Sequence, residues 1–438
     1  MRLLDSLGPY APDQVLAVST QLRAQCFAPD LVSEALTQSR LRAAGAEKFG
    51  EFASRMLFTQ AGLEQATRMS VAALHAQRFV ASGVTSVADL GCGIGADAMA
   101  FAGLDLNVVA VERDPTTAAV ATVNLMPFPN ARVVAGDAQA IDWEAVPGGR
   151  PESLWLDPAR RTDDRPRSGS SQRIFDPEAF SPPLSFVLEL AATGVPMGVK
   201  MGPGMPHSAI PANCEAQWVS HRGDVVEVVL WFNALARPGV RRSALVLRQD
   251  GPAQELTSTT DFPDLTDEPE SRDSLPFAEE HTPSDPLARQ THPDVRPGSV
   301  LWEPDGAVIR AGLVQDVAEH LGAQLIHPRI AYLVAPSASE LTCGTGDAAS
   351  SSGVGASGLS RGYTVREVLP HTVKVLKSWV KTNKVGTLEI KKRGTDVTPE
   401  QLRKQLKPSG PNKATLIVTR MATPDGERRV ILVVDPIR

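Results

Sequence analysis

Apolar positions recur every three or four residues in LVSEALTQSRLRAA and again in SVAALHAQRFVA, so residues 12 to about 82 read as helical. Gly83 ends that run, and from Ser86 the pattern changes. Short continuous apolar runs now alternate with helical stretches. SVADL, NVVAVE, ARVVAG, SLWLD and PMGVKM predict strands; GADAMAFAGL, PTTAAVATVNLM and PLSFVLELAATG predict helices. Such alternation predicts a parallel sheet with both faces covered. WVSHR, VVEVVLWF and SALVLRQ follow. The last two have no helix between them and predict an antiparallel hairpin at the sheet edge.

Past residue 250 the periodicity stops. Residues 251–298 hold 11 acidic and 3 basic residues among many Pro, Ser and Thr. Too little apolar surface is available there to form a core, so the segment reads as a solvated, disordered insertion. VLWEPDGAVI, AGLVQDVAEHLG and IAYLVA return to structured patterns, and CGTGDAASSSGVGASGLS reads as a flexible loop. The final stretch predicts a small α+β module: TVREVL, helix TVKVLKSWVKTN, strand GTLEIKKRG, helix TPEQLRKQL, then strands ATLIVTRM and RRVILVVD. Five segments result: a helical N-terminal region (1–82), an α/β domain (83–250), the acidic insertion (251–298), a connecting segment (299–362) and the last module (363–438).

Charge sharpens this division. The whole chain of 438 residues carries a formal net charge of −6. Residues 366–438 hold 16 Lys and Arg against 7 Asp and Glu, so the rest of the chain is strongly acidic. Four cysteines, none spaced as CxxC, predict neither a disulfide framework nor a metal site, and fit a reducing cytoplasm. No signal peptide and no membrane span is expected.

Candidate chemistry begins at DLGCGIGAD, between the first strand and its helix. Gly91, Gly93 and Gly95 let a ligand approach the backbone of a sharp turn. A dinucleotide site uses the same location, but its third glycine usually comes one place later. Acids then stand at successive strand tips: Asp89, Glu112, Asp137 and Asp157. Strand tips of an open α/β sheet line the ligand crevice. Each acid also has a plain reading, as a turn cap, a solvated strand end or a turn residue.

DLGCGIGAD, VERD, AGDAQ and LDPAR together resemble a class I S-adenosylmethionine-dependent methyltransferase over roughly residues 86–250. The resemblance implies a Rossmann-like seven-stranded sheet, with S-adenosyl-L-methionine over the glycine loop. It places Asp89 toward the methionine part, Glu112 on the ribose, and Asp137 with Ala138 near the adenine. FTQAGLEQATRMSVAALHA resembles the segment that folds over the methionine end in related enzymes, with Gln65 and Thr67 as candidates; Thr67 as a helix N-cap is the alternative.

LDPAR departs from the Asp/Asn-Pro-Pro-Tyr/Phe common in amino-methyltransferases of nucleic acids and proteins. Asp157 and Pro158 are kept, but Ala159 and Arg160 replace the second proline and the ring. Asp157 would hold or deprotonate the nucleophile. Arg160 and Arg161 would bind phosphate or stack on a base, or form surface ion pairs. Lys200, at the fifth strand's end, is a second candidate at this crevice, or a strand-end lysine with its stem on apolar surface.

The last 75 or so residues resemble the THUMP-like domain attached to methyltransferases of this type, on GTLEIKKRGTDVTPEQLRKQL and ATLIVTRM. That implies RNA contact. Lys374, Lys377, Lys381 and Lys384 recur at three and four residues, and Lys391, Lys392 and Arg393 follow. Such a stripe suits phosphate; it also suits a solubilising face, or a surface that docks on the acidic insertion of the same chain. The sequence therefore predicts an RNA methyltransferase. A methyltransferase for a protein or small molecule, and a non-catalytic RNA-binding protein with a vestigial fold, stay open.

Overall fold

The computed structural model describes residues 2–160, 177–249, 251–262, 293–335 and 358–437. Two compact units are present: Met1–Met201 with Pro211–Cys214 and Val229–Arg237, and Gly202–Ile210 with Glu215–Val228 and Pro238–Arg438. Arg161, most of the acidic run (263–292) and the loop at 336–357 lie outside the described residues. No described helix is long and apolar enough to cross a membrane.

In the first unit, α1 (Pro29–Phe49), α2 (Gln60–Gln65) and α3 (Met69–Ala81) precede the sheet. Helix α1 buries Val32, Ala35, Gln38, Leu41, Gly45 and Phe49, one stripe at helical spacing. Then come β1 (Ser86–Leu90), α4 (Ala96–Gly103), β2 (Asn107–Glu112), α5 (Pro115–Leu125), β3 (Ala131–Ala135), β4 (Ser153–Leu156), α6 (Leu184–Ala192) and β5 (Met197–Met201). All five strands are parallel, in the order β5-β4-β1-β2-β3. The continuous apolar runs of β1, β2, β4 and β5 follow from burial on both faces, while the edge strand β3 is partly exposed. The chain leaves β1 toward β2 on one side and returns to β4 on the other. That reversal opens a crevice at the carboxyl ends of β1 and β4.

Aromatic rings fill the core beneath it. Trp155 of β4 packs 5.8 Å from Trp231, 6.2 Å from Phe79 and 6.0 Å from Phe101, centroid to centroid. Gly198 of β5 lies flat between the indoles; a Cβ there would stand 2.6 Å from Trp231 and 2.8 Å from Trp155.

The edge region differs from the expected hairpin. Strand β6 (Cys214–His221) and β7 (Asp224–Phe232) are joined by Arg222 and Gly223, both at positive φ, the conformation of a tight two-residue turn. Strand β8 (Arg242–Leu247) then pairs in parallel with β6, from Arg242↔Ala216 to Leu247↔His221, rather than with β7. Strand β9 (Gln254–Ser258) adds antiparallel to β8. Those five residues correct the reading of 251–298 as wholly unstructured: β8 offers a free edge, and QELTS supplies the partner.

The second unit is dominated by a seven-stranded sheet. Its elements are β10 (Val300–Pro304), α7 (Val314–Leu321), β11 (Gln324–His327), β12 (Ile330–Ala335), β13 (Ser360–Pro370), α8 (Val373–Thr382), β14 (Val385–Lys392), α9 (Pro399–Leu406), β15 (Asn412–Thr423) and β16 (Gly426–Pro436). The strand order is β11-β12-β10-β13-β16-β15-β14. Residues 299–362, read from the sequence as a connector, thus supply three strands to the same sheet as the last module. Helices α8 and α9 bury Leu376, Val380, Leu402 and Leu406 against one face, over Leu416, Val418, Ile431 and Val433. The other face holds a core of its own, including Leu301, Tyr332, Tyr363, Ile417 and Leu432.

Candidate functional site

The glycine loop leaves β1 at Leu90. Gly91 (φ +89°) turns it, and its N–H donates to the Val111 carbonyl at 2.9 Å, joining the loop to β2. A Cβ at Gly91 would stand 3.3 Å from the Asp157 carbonyl oxygen. Gly93 (φ +57°) has nothing within 4 Å of where a Cβ would project, so its backbone is open to a ligand. Gly95 (φ +88°) starts α4. Behind the loop, the Asn124 side chain clasps it to the N-terminal segment. It accepts from Leu57 N–H at 2.7 Å and donates to the Leu57 and Ile94 carbonyls at 3.0 and 2.9 Å.

Asp89, one residue before the end of β1, is 1% exposed. Neither carboxylate oxygen has a partner at full hydrogen-bond geometry among the described residues, although the Ala98 N–H in the first turn of α4 faces the carboxylate. Burial, with Asp97 and Asp157 nearby, pushes its carboxyl well above the usual range; Lys200 and the Ala98 N–H pull the other way. A buried acid so incompletely paired is costly. It fits a ligand that brings a positive charge and N–H donors, which the ammonium of an amino acid would supply. The open backbone at Gly93 and the incompletely paired Asp89 together match a cofactor with a methionine part.

Glu112 ends β2 and is fixed by the loop itself. One oxygen accepts from Gly93 N–H at 3.0 Å and the other from Asp114 N–H at 2.8 Å, which leaves outward lone pairs on both. Asp137 lies exposed past β3 and accepts from Gln139 N–H at 2.9 Å, a local turn; Ala138 beside it is half-buried. Gln65, the last residue of α2, is exposed.

Thr67 is buried and does not cap α3, whose N-cap is Arg68. Its hydroxyl donates to Asp97 Oδ2 at 2.7 Å and accepts from Lys200 Nζ at 3.0 Å. Lys200 Nζ is also ion-paired with Asp157 Oδ2. On the far side, Asp97 Oδ1 lies 2.9 Å from His75 Nδ1. Burial would push the Asp97 carboxyl up, but the His75 hydrogen bond and charge, Lys200 and Thr67 outweigh it and hold it below the usual range. Lys48 fixes the segment before Thr67, its ammonium donating to the carbonyls of Leu63, Glu64 and Ala66 at 2.8, 2.7 and 2.9 Å. Burial lowers the Lys48 pKa, with Arg68 and Lys200 adding to the effect.

The first unit thus brings Asp89, Glu112, Asp157, Lys200 and Thr67 to the strand ends. Pro158 is buried, and Arg160 pairs through its backbone with Phe180. His75, Asp97 and Asn124 escaped sequence reasoning. Asp97 stands two residues past Gly95, and ALHA put a polar residue on an apolar helix face; both were readable as odd, though not as partners.

In the second unit the basic residues divide. Lys374, Lys377, Lys381 and Lys384 are exposed, and none forms an ion pair among the described residues; Lys384 follows the end of α8. Lys391 and Arg393 do not join them. Successive strand residues face opposite ways, so Ile390 packs under the helices while Lys391 points to the other side. There the sheet curls, and Lys391 Nζ reaches Glu303 Oε2 at 2.6 Å and lies 5.5 Å from the Tyr363 ring. Arg393 is 3.8 Å from Glu303 and lies over Tyr332. Lys392 donates to the Thr395 carbonyl at 3.4 Å. The expected single stripe through Lys391, Lys392 and Arg393 is therefore corrected: two of its charges are balanced by the partly buried Glu303.

A family model described as THUMP domain-like matches residues 360–436, and one described as a domain of unknown function (DUF8688) matches residues 1–45. An uncharacterized S-adenosylmethionine-dependent methyltransferase of Mycobacterium tuberculosis, from strains CDC 1551 and H37Rv, is 30% identical over 403 residues, 90% of this chain and 93% of the relative. A methyltransferase candidate from Porphyromonas gingivalis W83, solved by crystallography, is similar in fold: TM-score 0.64 at 19% identity, over 98% of this chain and 100% of that one.

Proposed function

The chain belongs to the S-adenosylmethionine-dependent methyltransferases, and from that premise we propose that it methylates RNA, with the cofactor over the glycine loop. The observation that carries the cofactor's place is the buried, incompletely paired Asp89 carboxylate beside the glycine loop, whose backbone is open at Gly93. Asp89 takes the methionine ammonium. Glu112, held by two backbone N–H groups, turns its remaining lone pairs to the ribose hydroxyls. Asp137 and Ala138 border the adenine, and Gln65 covers the methionine end.

When bound, S-adenosylmethionine supplies a methyl group on a positively charged sulfur. The protein's task is then alignment, which is a proximity effect. Asp157 holds the nucleophile by accepting its proton or its hydrogen bond, and buried Pro158 fixes the backbone that presents it. Arg160 and Arg161 follow directly and bind the phosphate next to the target.

RNA is supported by the THUMP-like match and by the exposed lysines of α8, which form no ion pairs among the described residues and suit a phosphate backbone. Lys377 and Lys381 belong to that face; Lys391, Lys392 and Arg393 act there only through the fold they stabilise. Labelled methyl groups offered to total RNA, protein and metabolite fractions from cells lacking the protein test the reading. Label in RNA, located by nucleoside mass spectrometry, is the expected result. Label only in protein or metabolites would replace RNA as the substrate.

A further inference from the structure

The crevice holds more than a cofactor and a substrate acid. Lys200, Thr67, Asp97 and His75 form one hydrogen-bonded line that ends on Asp157, and no two of the five sit on the same helix or strand. His75 lies on α3, Thr67 before it, Asp97 in the first turn of α4, Asp157 just after β4 and Lys200 on β5.

The direction of each bond is fixed by chemistry. A lysine ammonium can only donate, so Thr67 Oγ1 accepts from Lys200 at 3.0 Å. The one proton of the hydroxyl must then go to Asp97 Oδ2, at 2.7 Å. Asp97, ionised, accepts again at Oδ1, so His75 carries its proton on Nδ1, 2.9 Å away. His75, Asp97 and Thr67 are 1%, 6% and 7% exposed, so water does not compete for these bonds. The imidazole packs against both Trp155 at 4.5 Å and Trp231 at 6.2 Å, centroid to centroid. Trp155 belongs to β4, two residues before Asp157, so the far end of the line is anchored in the strand that carries its near end.

We infer that Lys200 is a positioning residue which fixes the Asp157 carboxylate, and that Thr67, Asp97 and His75 exist to hold Lys200 in place. This rests on the proposed role of Asp157 in methyl transfer. Asp97 stands two residues past Gly95, so the same line ties the orientation of Asp157 to the seat of the glycine loop. A bound cofactor and a correctly aimed Asp157 are then one structural state. Thr67, on this account, serves transfer and not cofactor affinity.

Thr67→Val keeps the shape and removes the hydroxyl; Thr67→Ser keeps the hydroxyl. With total RNA from cells lacking the protein as acceptor, and cofactor saturating, Thr67→Val and Lys200→Met should lose transfer by about tenfold or more, because small misplacements of a reacting group are costly. Thr67→Ser should stay near the wild-type rate. Cofactor affinity, by calorimetry, should stay within about threefold in all three. A second readout needs no acceptor: in the 15N-lysine-labelled full chain, the Lys200 ammonium protons should resist exchange in the wild type and lose that protection in Thr67→Val. Wild-type transfer by Thr67→Val and Lys200→Met, beside an inactive Asp157→Ala, overturns the inference alone. Full transfer by Asp157→Ala overturns the role of Asp157 and this inference with it. Unchanged Lys200 protection in Thr67→Val also overturns it.

Discussion

Lys391 reaches Glu303 across a curled sheet, 2.6 Å from nitrogen to oxygen, although three strands separate β14 from β10. The contact is charge neutralisation inside the second unit. Burial would raise the Glu303 carboxyl, but Lys391, Arg393 and the Tyr363 hydroxyl outweigh it and hold it below the usual range.

Lys391→Ala should therefore destabilise the fold by about 1–3 kcal/mol, because a mostly buried acid loses its nearest partner. The pH dependence has a definite sign. A depressed carboxyl contributes stability above its unfolded pKa of roughly 4.3 and loses it as pH falls through the lower folded value. Denaturant melts of the wild type and Glu303→Gln should differ at neutral pH and converge in acid. A gap that widens in acid would contradict the assignment.

Replacing Lys374, Lys377, Lys381 and Lys384 by Ala should do the reverse. These side chains are exposed and carry no ion pair among the described residues, so melting should hardly change. RNA affinity should fall, and the slope of log affinity against log salt should flatten by roughly 0.7 for each lost contact to a single strand. Filter binding at several salt concentrations measures both.

Much of this was legible in the sequence, for reasons that are local. The turn at Gly91, Gly93 and Gly95 needs only neighbouring residues to be recognised, and a strand's end is marked by the polar residue that follows its apolar run. That is why Asp89, Glu112 and Asp157 could be named. The line from His75 to Asp157 joins residues 22, 30, 133 and 43 positions apart, and only the fold brings them together. Lys391 and Arg393 were misread for a different reason. Adjacent lysines look like one charge run, yet on a strand they must face opposite ways, so half of that correction was available from the period-two rule. The partner, Glu303, was not. Gln254–Ser258 was lost because composition was weighed over a long acidic window that a five-residue strand barely shifts.

Helix α2 meets the glycine loop closely at Gly62. A Cβ on Gly62 would stand 2.4 Å from Ile94 Cγ2, beside Gly93. Gly62→Ala should cost about 1–3 kcal/mol by overpacking. Because Ile94 belongs to the loop, cofactor affinity should fall with it. Gly136→Ala, where a Cβ would meet nothing within 4 Å, is the control that should leave stability near that of the wild type. Melts and cofactor titrations of the two variants give the comparison.

Asp89 carries the central claim, that its buried carboxylate receives the cofactor's positive charge. Its folded carboxyl is raised by burial and by Asp97 and Asp157, so ionising it weakens the empty fold as pH rises above roughly 3.9. Asp89→Asn should then leave the protein at least as stable at neutral pH while binding S-adenosylmethionine about tenfold or more weakly, a loss of roughly 1.4 kcal/mol or more. A bound ammonium favours the carboxylate, so wild-type binding should release a proton and strengthen as pH rises through the raised value; the variant should do neither. Calorimetric titration of S-adenosylmethionine into both proteins, in two buffers of different ionisation enthalpy, is the most direct test. The account predicts weaker binding and loss of the buffer-dependent heat in Asp89→Asn; equal affinity with the same buffer-dependent heat would contradict it.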